Sequence, residues 1–331
     1  MKILLSSHHF FPSTGGIETV SNLLAREFVE LGHEVRVVTQ TSGDGGFPFP
    51  VVRQPCALEL LRNLRWCDVF LQNNISLRTL WPLLLVRRPL FVAHQTWITN
   101  PEGGTGWPDR LKRFVLRYAT SFAISGAVAE TLPVPSIRVG NPYDNAVFAD
   151  LAAEKRDRDL IFVGRLVSDK GADLLLDAMK LLEMKPRLTI AGDGPERATL
   201  EKRARDLQLQ SQVTFVGQQC GEALANLLRE HQILVVPSLW QEPFGIVALE
   251  GIACGCVVVG SAGGGLAEAI GPCGVTFPNG DAGALANAIA ALLAEPGQRA
   301  RMRHLAPSHL GRFTPRHVAG IYLDAMKKAL P

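Results

Sequence analysis

Several things are scarce in this sequence, and each scarcity excludes something. Of 331 residues only six are cysteine, at positions 56, 67, 220, 254, 256 and 273. Their one close spacing, Cys254-Gly255-Cys256, lacks a second ligand pair, so no metal-binding set is read from them. Thiols scattered in this way are expected to be reduced, structural and buried, which suits a cytoplasmic protein. Long apolar runs are missing too. Trp81–Val86 is typical of the longest, far short of the roughly 20 residues that a membrane-spanning helix needs. The opening Met1-Lys2-Ile3-Leu4-Leu5-Ser6-Ser7 is too brief for a secretion signal and reads as a buried first strand. Net charge is slight, formally +3, too little by itself to imply a nucleic-acid partner. Low-complexity tracts and repeats of solenoid period are absent.

What is present is apolar residue, 47% of the chain, in short strand-like runs that alternate with amphipathic helical stretches. That alternation predicts parallel sheets covered on both faces, and the length allows two such domains. The first series has strands at Ile3–Ser6, Glu34–Gln40, Asp68–Gln72, Leu90–His94 and Ser121–Ile124, with a helix from about Glu18 to Leu31 stopped by Gly32. The second has strands at Leu160–Val163, Leu188–Ala191, Val213–Phe215, Ile233–Val236 and Val257–Gly260. Its helices are expected over 172–182, 196–207, 222–230, 247–254 and 282–293. Between the series lie the turn-rich Gly140-Asn141-Pro142-Tyr143-Asp144 and the charged Glu154-Lys155-Arg156-Asp157-Arg158-Asp159, a linker in character. Doubly wound sheets take ligands at the carboxyl ends of their strands, so the expected large site is a cleft between the two domains.

Three stretches carry chemistry. Pro12-Ser13-Thr14-Gly15-Gly16-Ile17-Glu18 follows the first strand and opens a helix. Its glycines let a ligand approach, and free N–H groups at a helix start attract a diphosphate. A tight strand-to-helix turn would account for it equally well. Gly164-Arg165-Leu166-Val167-Ser168-Asp169-Lys170-Gly171 places two cations on one loop after a strand, a forked donor and a point charge able to hold one diphosphate. Alone, they could equally be solvated surface charges. Ser238-Leu239-Trp240-Gln241-Glu242-Pro243-Phe244-Gly245-Ile246-Val247-Ala248-Leu249-Glu250 sets Glu242 on a loop and Glu250 one turn into a helix. The helix start suits a phosphate, and Glu250 suits sugar hydroxyls. The simpler role of an acid there is to complement the helix dipole.

Taken in order, these segments resemble glycosyltransferase family 4, retaining enzymes of the GT-B fold. The resemblance runs nearly the whole chain. It adds Asn141–Phe148, Gly192-Asp193-Gly194-Pro195, Val213-Thr214-Phe215-Val216-Gly217, Gly255, and Gly263-Gly264 with Glu268. It implies two Rossmann-like doubly wound domains facing across a cleft. Residues 1–148 would form the acceptor side and 149–314 the nucleotide-sugar side, with a final helix over 315–331 packing back on the first domain. It implies that Gly15 and Gly16 face the donor diphosphate, that Arg165 and Lys170 bind its phosphates, and that Glu242 lies beside the transferred sugar. Glu250 would hold the nucleotide ribose. Phe244, Gly245 and Ile246 would offer backbone N–H groups to sugar or phosphate, Val247 would join them in binding the donor, and Val216–Gln218, including Gly217, would lie along the base. His94, ending Val92-Ala93-His94-Gln95-Thr96, resembles the family histidine near the donor sugar. Gln95 departs from the His-Asp or His-Gly common there, and Arg312-Phe313-Thr314-Pro315 lacks a frequent Trp.

The activity implied is transfer of a sugar from a UDP- or GDP-linked donor, with retention, to a glycan or lipid-linked acceptor of a bacterial polysaccharide or envelope pathway. The acting groups would be His94, Arg165, Lys170 and Glu242, with stabilisation of the departing diphosphate as the main effect. No Asp-x-Asp motif appears in the expected loops, so no metal or other cofactor is expected. The alternatives are a sugar-nucleotide epimerase of the same fold and a non-catalytic nucleotide-sugar-binding subunit. Both fit Arg165, Lys170, Glu242 and Glu250 less well.

Charge adds a last expectation. Between Arg53 and Arg117 ten basic residues stand against four acidic ones. Within 109–118, Arg110, Arg113 and Arg117 share one helical face, and Leu111, Phe114, Val115 and Tyr118 gather towards another. Such a helix can rest on an anionic membrane, here the inner face, as a peripheral contact, or pack its apolar stripe on the first domain.

Overall fold

A computed structural model describes residues 1–13, 15–98, 106–151 and 156–330. Thr14 of the glycine loop, Glu102, and Glu154 and Lys155 of the charged segment lie outside the described residues. Contacts divide the chain into two compact units, Met1–Pro142 with Phe313–Pro331, and Tyr143–Arg312. Tyr143–Phe148, read from the sequence as the end of the first domain, therefore goes with the second unit, and Phe313–Thr314, read as the end of the second, goes with the first.

The first unit runs β1 (Lys2–Ser7), α1 (Gly16–Glu30), β2 (Glu34–Thr39), β3 (Val51–Arg53), α2 (Ala57–Trp66), β4 (Val69–Asn73), α3 (Leu77–Leu80), β5 (Leu90–His94), α4 (Trp107–Val115), β6 (Ala119–Ala123), α5 (Gly126–Thr131) and β7 (Ser136–Arg138). Its seven parallel strands are ordered β3-β2-β1-β4-β5-β6-β7, so the winding reverses between β1 and β4. Ile3, Leu4 and Leu5 are buried because β1 lies inside this sheet with helices over both faces. α1 turns Val20, Leu23, Leu24 and Phe28 inward and ends where Gly32, at φ 82, adopts a left-handed conformation. The C-terminal helix, Pro315–Lys328, packs on α1 and starts on Thr314, whose hydroxyl accepts from the His317 N–H at 3.3 Å. It buries Val318, Tyr322, Leu323 and Met326, with the Tyr322 ring 4.2 Å from that of Phe122.

The second unit runs β8 (Arg158–Val163), α6 (Ala172–Leu181), β9 (Leu188–Ala191), α7 (Arg197–Asp206), β10 (Val213–Gly217), α8 (Gly221–Arg229), β11 (His231–Val236), α9 (Ile246–Ala253), β12 (Val257–Ser261), α10 (Leu266–Ile270), β13 (Gly274–Phe277), α11 (Ala282–Ala294) and α12 (Pro296–Leu310). Six parallel strands are ordered β10-β9-β8-β11-β12-β13. The core lies between this sheet and α6, α7 and α11, around Leu160, Phe162, Leu175, Ile190, Val235, Val259 and Ile289.

Three edge strands, β3, β7 and β13, and helices α2, α3, α5, α10 and α12 go beyond the sequence reading. All six cysteines are free thiols, but Cys56 and Cys220, expected inside with the rest, are exposed. Both stand at helix N-caps, of α2 and α8, where the chain turns towards solvent. Among the described residues no helix is long and apolar enough to cross a membrane.

Candidate active site

The second unit gathers its chemistry on the loops that follow β8, β11, β12 and β13. β8 and β11 are neighbours in the sheet, with Ile233 opposite Leu160, so the loops that leave their carboxyl ends meet. The β11 loop docks by backbone: the N–H groups of Leu239 and Trp240 both donate to the Asp169 carbonyl, at 3.0 and 3.2 Å. Gly171, at φ 67, lies so close that a Cβ there would strike the Pro237 carbonyl.

This docking brings Lys170 to Glu242. The ammonium donates to Glu242 Oε1, and Ser238 Oγ donates to the same oxygen at 2.8 Å. The carboxylate is thus held by one cation and one hydroxyl, both charge-assisted contacts. Its backbone is fixed as well. Glu242 pairs with Gly264, and the Gly265 N–H donates to its carbonyl at 2.7 Å. Arg165, on the same loop as Lys170, is exposed and makes no ion pair among the described residues. Its forked donors stand ready for an anion.

Asn279 was not singled out in the sequence, yet it ties the site together. Its Oδ1 accepts from the Gly263 N–H at 2.7 Å, and its Nδ2 donates to the Ser238 carbonyl at 3.1 Å. The loops after β11, β12 and β13 thereby share one side chain. Ser238 is a second such residue, although a hydroxyl four residues before an acid on one loop is a legible signal.

α9 opens at Gly245, left-handed at φ 99, and its first turn directs backbone N–H groups outward. Phe244 is buried; Gly245, Ile246 and Val247 are half-buried. Glu250, on α9, keeps some contact with solvent yet is ringed by protein. Desolvation, helped by the Asp144 carboxylate, pushes its carboxyl up to about 7. The carboxyl has no hydrogen-bond partner among the described residues. At the end of β10, the Gly217 carbonyl already accepts from the Gly192 N–H at 2.8 Å and the Val216 carbonyl from Gln219 Nε2 at 3.1 Å.

The remaining candidates belong to the first unit. His94 closes β5 at 1% exposure, with Nε2 3.3 Å from Ser121 Oγ. Desolvation lowers it to about 4, so the ring is neutral at ordinary pH. Gly15 is extended, Gly16 begins α1, and the Glu18 carboxylate lies against Gly15. Among the described residues no three His, Cys, Asp or Glu side chains group as a metal site.

The sequence of this second unit matches the family described as Glycosyl transferases group 1 over residues 144–309, half of the chain. The chain belongs to that family. A D-inositol 3-phosphate glycosyltransferase of Stackebrandtia nassauensis is 35% identical over 185 residues, 50% of this chain and 42% of that protein. An uncharacterized glycosyltransferase of Methanocaldococcus jannaschii is 41% identical over 122 residues, 36% of this chain and 31% of that protein. The chain spans less than half the length of these relatives. Among solved structures, Anabaena HepE in complex with UDP aligns with a TM-score of 0.85 at 20% identity, covering 99% of this chain and 100% of that one. HepE in complex with UDP-glucose aligns at 0.80. The likeness is one of fold, the two Rossmann-like parallel-sheet domains of GT-B proteins.

Proposed function

We propose that this protein moves a glycosyl group from a nucleoside-diphosphate sugar, UDP- or GDP-linked, to a hydroxyl of a glycan or lipid-linked saccharide, with retention at the anomeric carbon and no required metal. The pathway that fits is bacterial polysaccharide or envelope synthesis. The observation that carries the reading is the loop pair of the second unit: Lys170 and Ser238 converge on Glu242, and Arg165, on the loop of Lys170, is exposed with no ion pair among the described residues. Membership of the family supports it, as do the UDP and UDP-glucose complexes of HepE.

In this reading a diphosphate arriving over the β8 loop meets the Arg165 fork and shares Lys170 with Glu242. Negative charge grows on the diphosphate as the glycosidic bond breaks. Two fixed cations and the N-terminus of α9 stabilise that charge more than they stabilise the intact donor, which lowers the barrier. Glu242, already oriented by Ser238, keeps its second oxygen for hydroxyls of the sugar. Glu250 accepts from the ribose hydroxyls, which needs its ionised form. The roles of Gly15, Gly16 and His94 in the first unit rest on the family resemblance. His94, being neutral, would act by hydrogen bonding and not by charge.

A peripheral membrane contact belongs to the same reading. No α4 side chain is buried, and Trp107, Leu111, Phe114 and Tyr118 form one stripe along α4 and the turn after it, 73%, 41%, 51% and 74% exposed. Arg110, Arg113 and Arg117 flank the stripe, each cation adding on the order of 1 kcal/mol near an anionic surface. Co-sedimentation with phosphatidylglycerol vesicles should fall with salt and with glutamate at these three arginines. Binding unchanged by either would remove the membrane from this reading.

A thermal-shift panel of UDP- and GDP-sugars tests the central claim, because a ligand of the native state raises the melting point. Turnover of the sugar nucleotide that shifts it most, with and without titrated acceptor, separates transferase from epimerase and from an inert binder. Activity persisting in EDTA is expected; loss that Mg²⁺ restores would reject the metal-free mechanism.

A further inference from the structure

Gln95 follows β5 on the carboxyl edge of the first sheet, the edge at which open α/β sheets receive ligands. Its backbone is pinned: the N–H donates to Asn74 Oδ1 at 2.7 Å. Asn74 itself is held left-handed at φ 65, with its own N–H on the Ala93 carbonyl at 2.8 Å. Left-handed asparagine is tolerated but not free, and such conformations gather at functional sites.

The side chain of Gln95 is the anomaly. The residue is 6% exposed, and both Oε1 and Nε2 are buried with no hydrogen-bond partner among the described residues. Polar side chains of the strand ends bond one another. Asn73 Nδ2 donates to Ser21 Oγ, Ser21 Oγ to Ser7 Oγ at 2.9 Å, and His94 is engaged with Ser121. Among the described residues Asn73 Oδ1, on the adjoining strand end, is also unpaired. Native proteins seldom leave a buried amide unpaired at both ends, because each orphaned atom keeps the full cost of losing water. An apolar residue of the same size would avoid that cost, so the amide is retained for a partner that comes and goes.

The chemistry of that partner follows from the group. An amide offers donors and an acceptor side by side and carries no charge. A phosphate or carboxylate would satisfy Nε2 and leave Oε1 facing an anion. A hydroxyl pair satisfies both ends. We propose that the Gln95 amide recognises substrate in the first unit by receiving two sugar hydroxyls, one donating to Oε1 and one accepting from Nε2. This rests on the glycosyl-transfer reading and names a residue that sets its specificity. The hydroxyls belong either to the sugar being transferred or to the acceptor.

The test uses the full chain and Gln95→Leu, which keeps the bulk and removes both polar atoms. Two readouts are taken. With no ligand, Gln95→Leu should melt several degrees above the wild type. Melting below it would mean that solvent already satisfies the amide, and would overturn the proposal. In turnover, the best sugar nucleotide among UDP-glucose, UDP-galactose and GDP-mannose is used, first with water as acceptor and then with methyl α-D-glucopyranoside. Gln95→Leu should raise the KM for the sugar nucleotide or for the glucoside about tenfold or more while the Kd for free nucleotide stays unchanged. The KM that moves identifies the source of the hydroxyls. Unchanged values for both would overturn the proposal. Failure of the wild type to bind free UDP or GDP would instead sink the transfer reading, and the melting comparison would then decide on Gln95 alone.

Discussion

Glu250→Gln separates the stability of the site from its function. The Glu250 carboxyl is lifted from 4.5 to about 7, first by desolvation and then by Asp144. An acid with a raised folded pKa binds its proton more tightly folded than unfolded. Its contribution to stability is complete below pH 4.5 and is lost as pH rises through 7. At about 1.4 kcal/mol per unit, the whole shift corresponds to roughly 3 kcal/mol. Glu250 keeps some solvent contact, so screening leaves a working figure of about 1–2 kcal/mol. For a unit of this size, ~1 kcal/mol moves the melting point by about 2–4 °C. Gln cannot ionise. The variant should therefore differ from the wild type by a small constant near pH 4.5, and should gain roughly 2–8 °C on it by pH 8. Melting of both proteins without ligand, at intervals from pH 4.5 to 9, reads this directly. Titrating groups that do not feel the Glu250 charge are shared and cancel in the difference. A gap that stays flat with pH, or that opens the other way, refutes the argument. The same variant should bind nucleotide more weakly, since one amide oxygen replaces two carboxylate oxygens, and should lose affinity more than turnover.

Other expectations are simpler. Arg165→Ala and Lys170→Ala should each lower turnover tenfold or more, about 1.5–3 kcal/mol of charge-assisted bonding. Only Lys170→Ala should also lower the melting point, because Glu242 would lose its cation; near-normal turnover in both would remove the diphosphate clamp. Asn279→Ala should reduce kcat while sparing the Kd for free nucleotide, since it slackens the loops that carry Ser238 and Gly263. His94 and His231 are each lowered to about 4 by burial, so their contribution is complete above pH 6.5 and is lost as pH falls towards 4. Glutamine at either position should flatten the acid limb of the melting profile, and an unaltered slope would contradict this.

Much of the fold was legible because parallel strands buried on both faces announce themselves as apolar runs. Leu90–His94 and Leu188–Ala191 have the bounds read from the sequence. β3, β7 and β13 did not announce themselves. Each has only three or four residues, partly exposed at or near a sheet edge, too few to show a period. α12 presents no apolar stripe and carries Pro307 inside it. The candidate residues of the site were legible by type and spacing, but their pairing was not. Lys170 meets Glu242 because β8 lies beside β11, and strand order cannot be read from alternation. Asn279 was hidden for a related reason: it follows β13, and Pro278-Asn279-Gly280 reads as an ordinary turn. The stripe on α4 shows the converse. Its period was plain, but whether it faces protein or solvent depends on what the fold sets against it.

The closing helix has a consequence for synthesis. Residues of the first unit are made first, yet Tyr322 and Met326, which complete its core, are made only after the whole of the second unit. The second unit is continuous from Tyr143 to Arg312 and can fold as soon as it emerges. The amino-terminal sheet must wait, with the faces of α1 and Phe122 uncovered, for the length of the remaining chain. At about 5–20 residues per second that interval is on the order of ten seconds or more. By its end the nascent chain carries a finished second unit behind an unfinished first one. Chaperones are expected to engage the amino-terminal part of the nascent chain over that interval, and a stall shortly before Phe313 would strand it there.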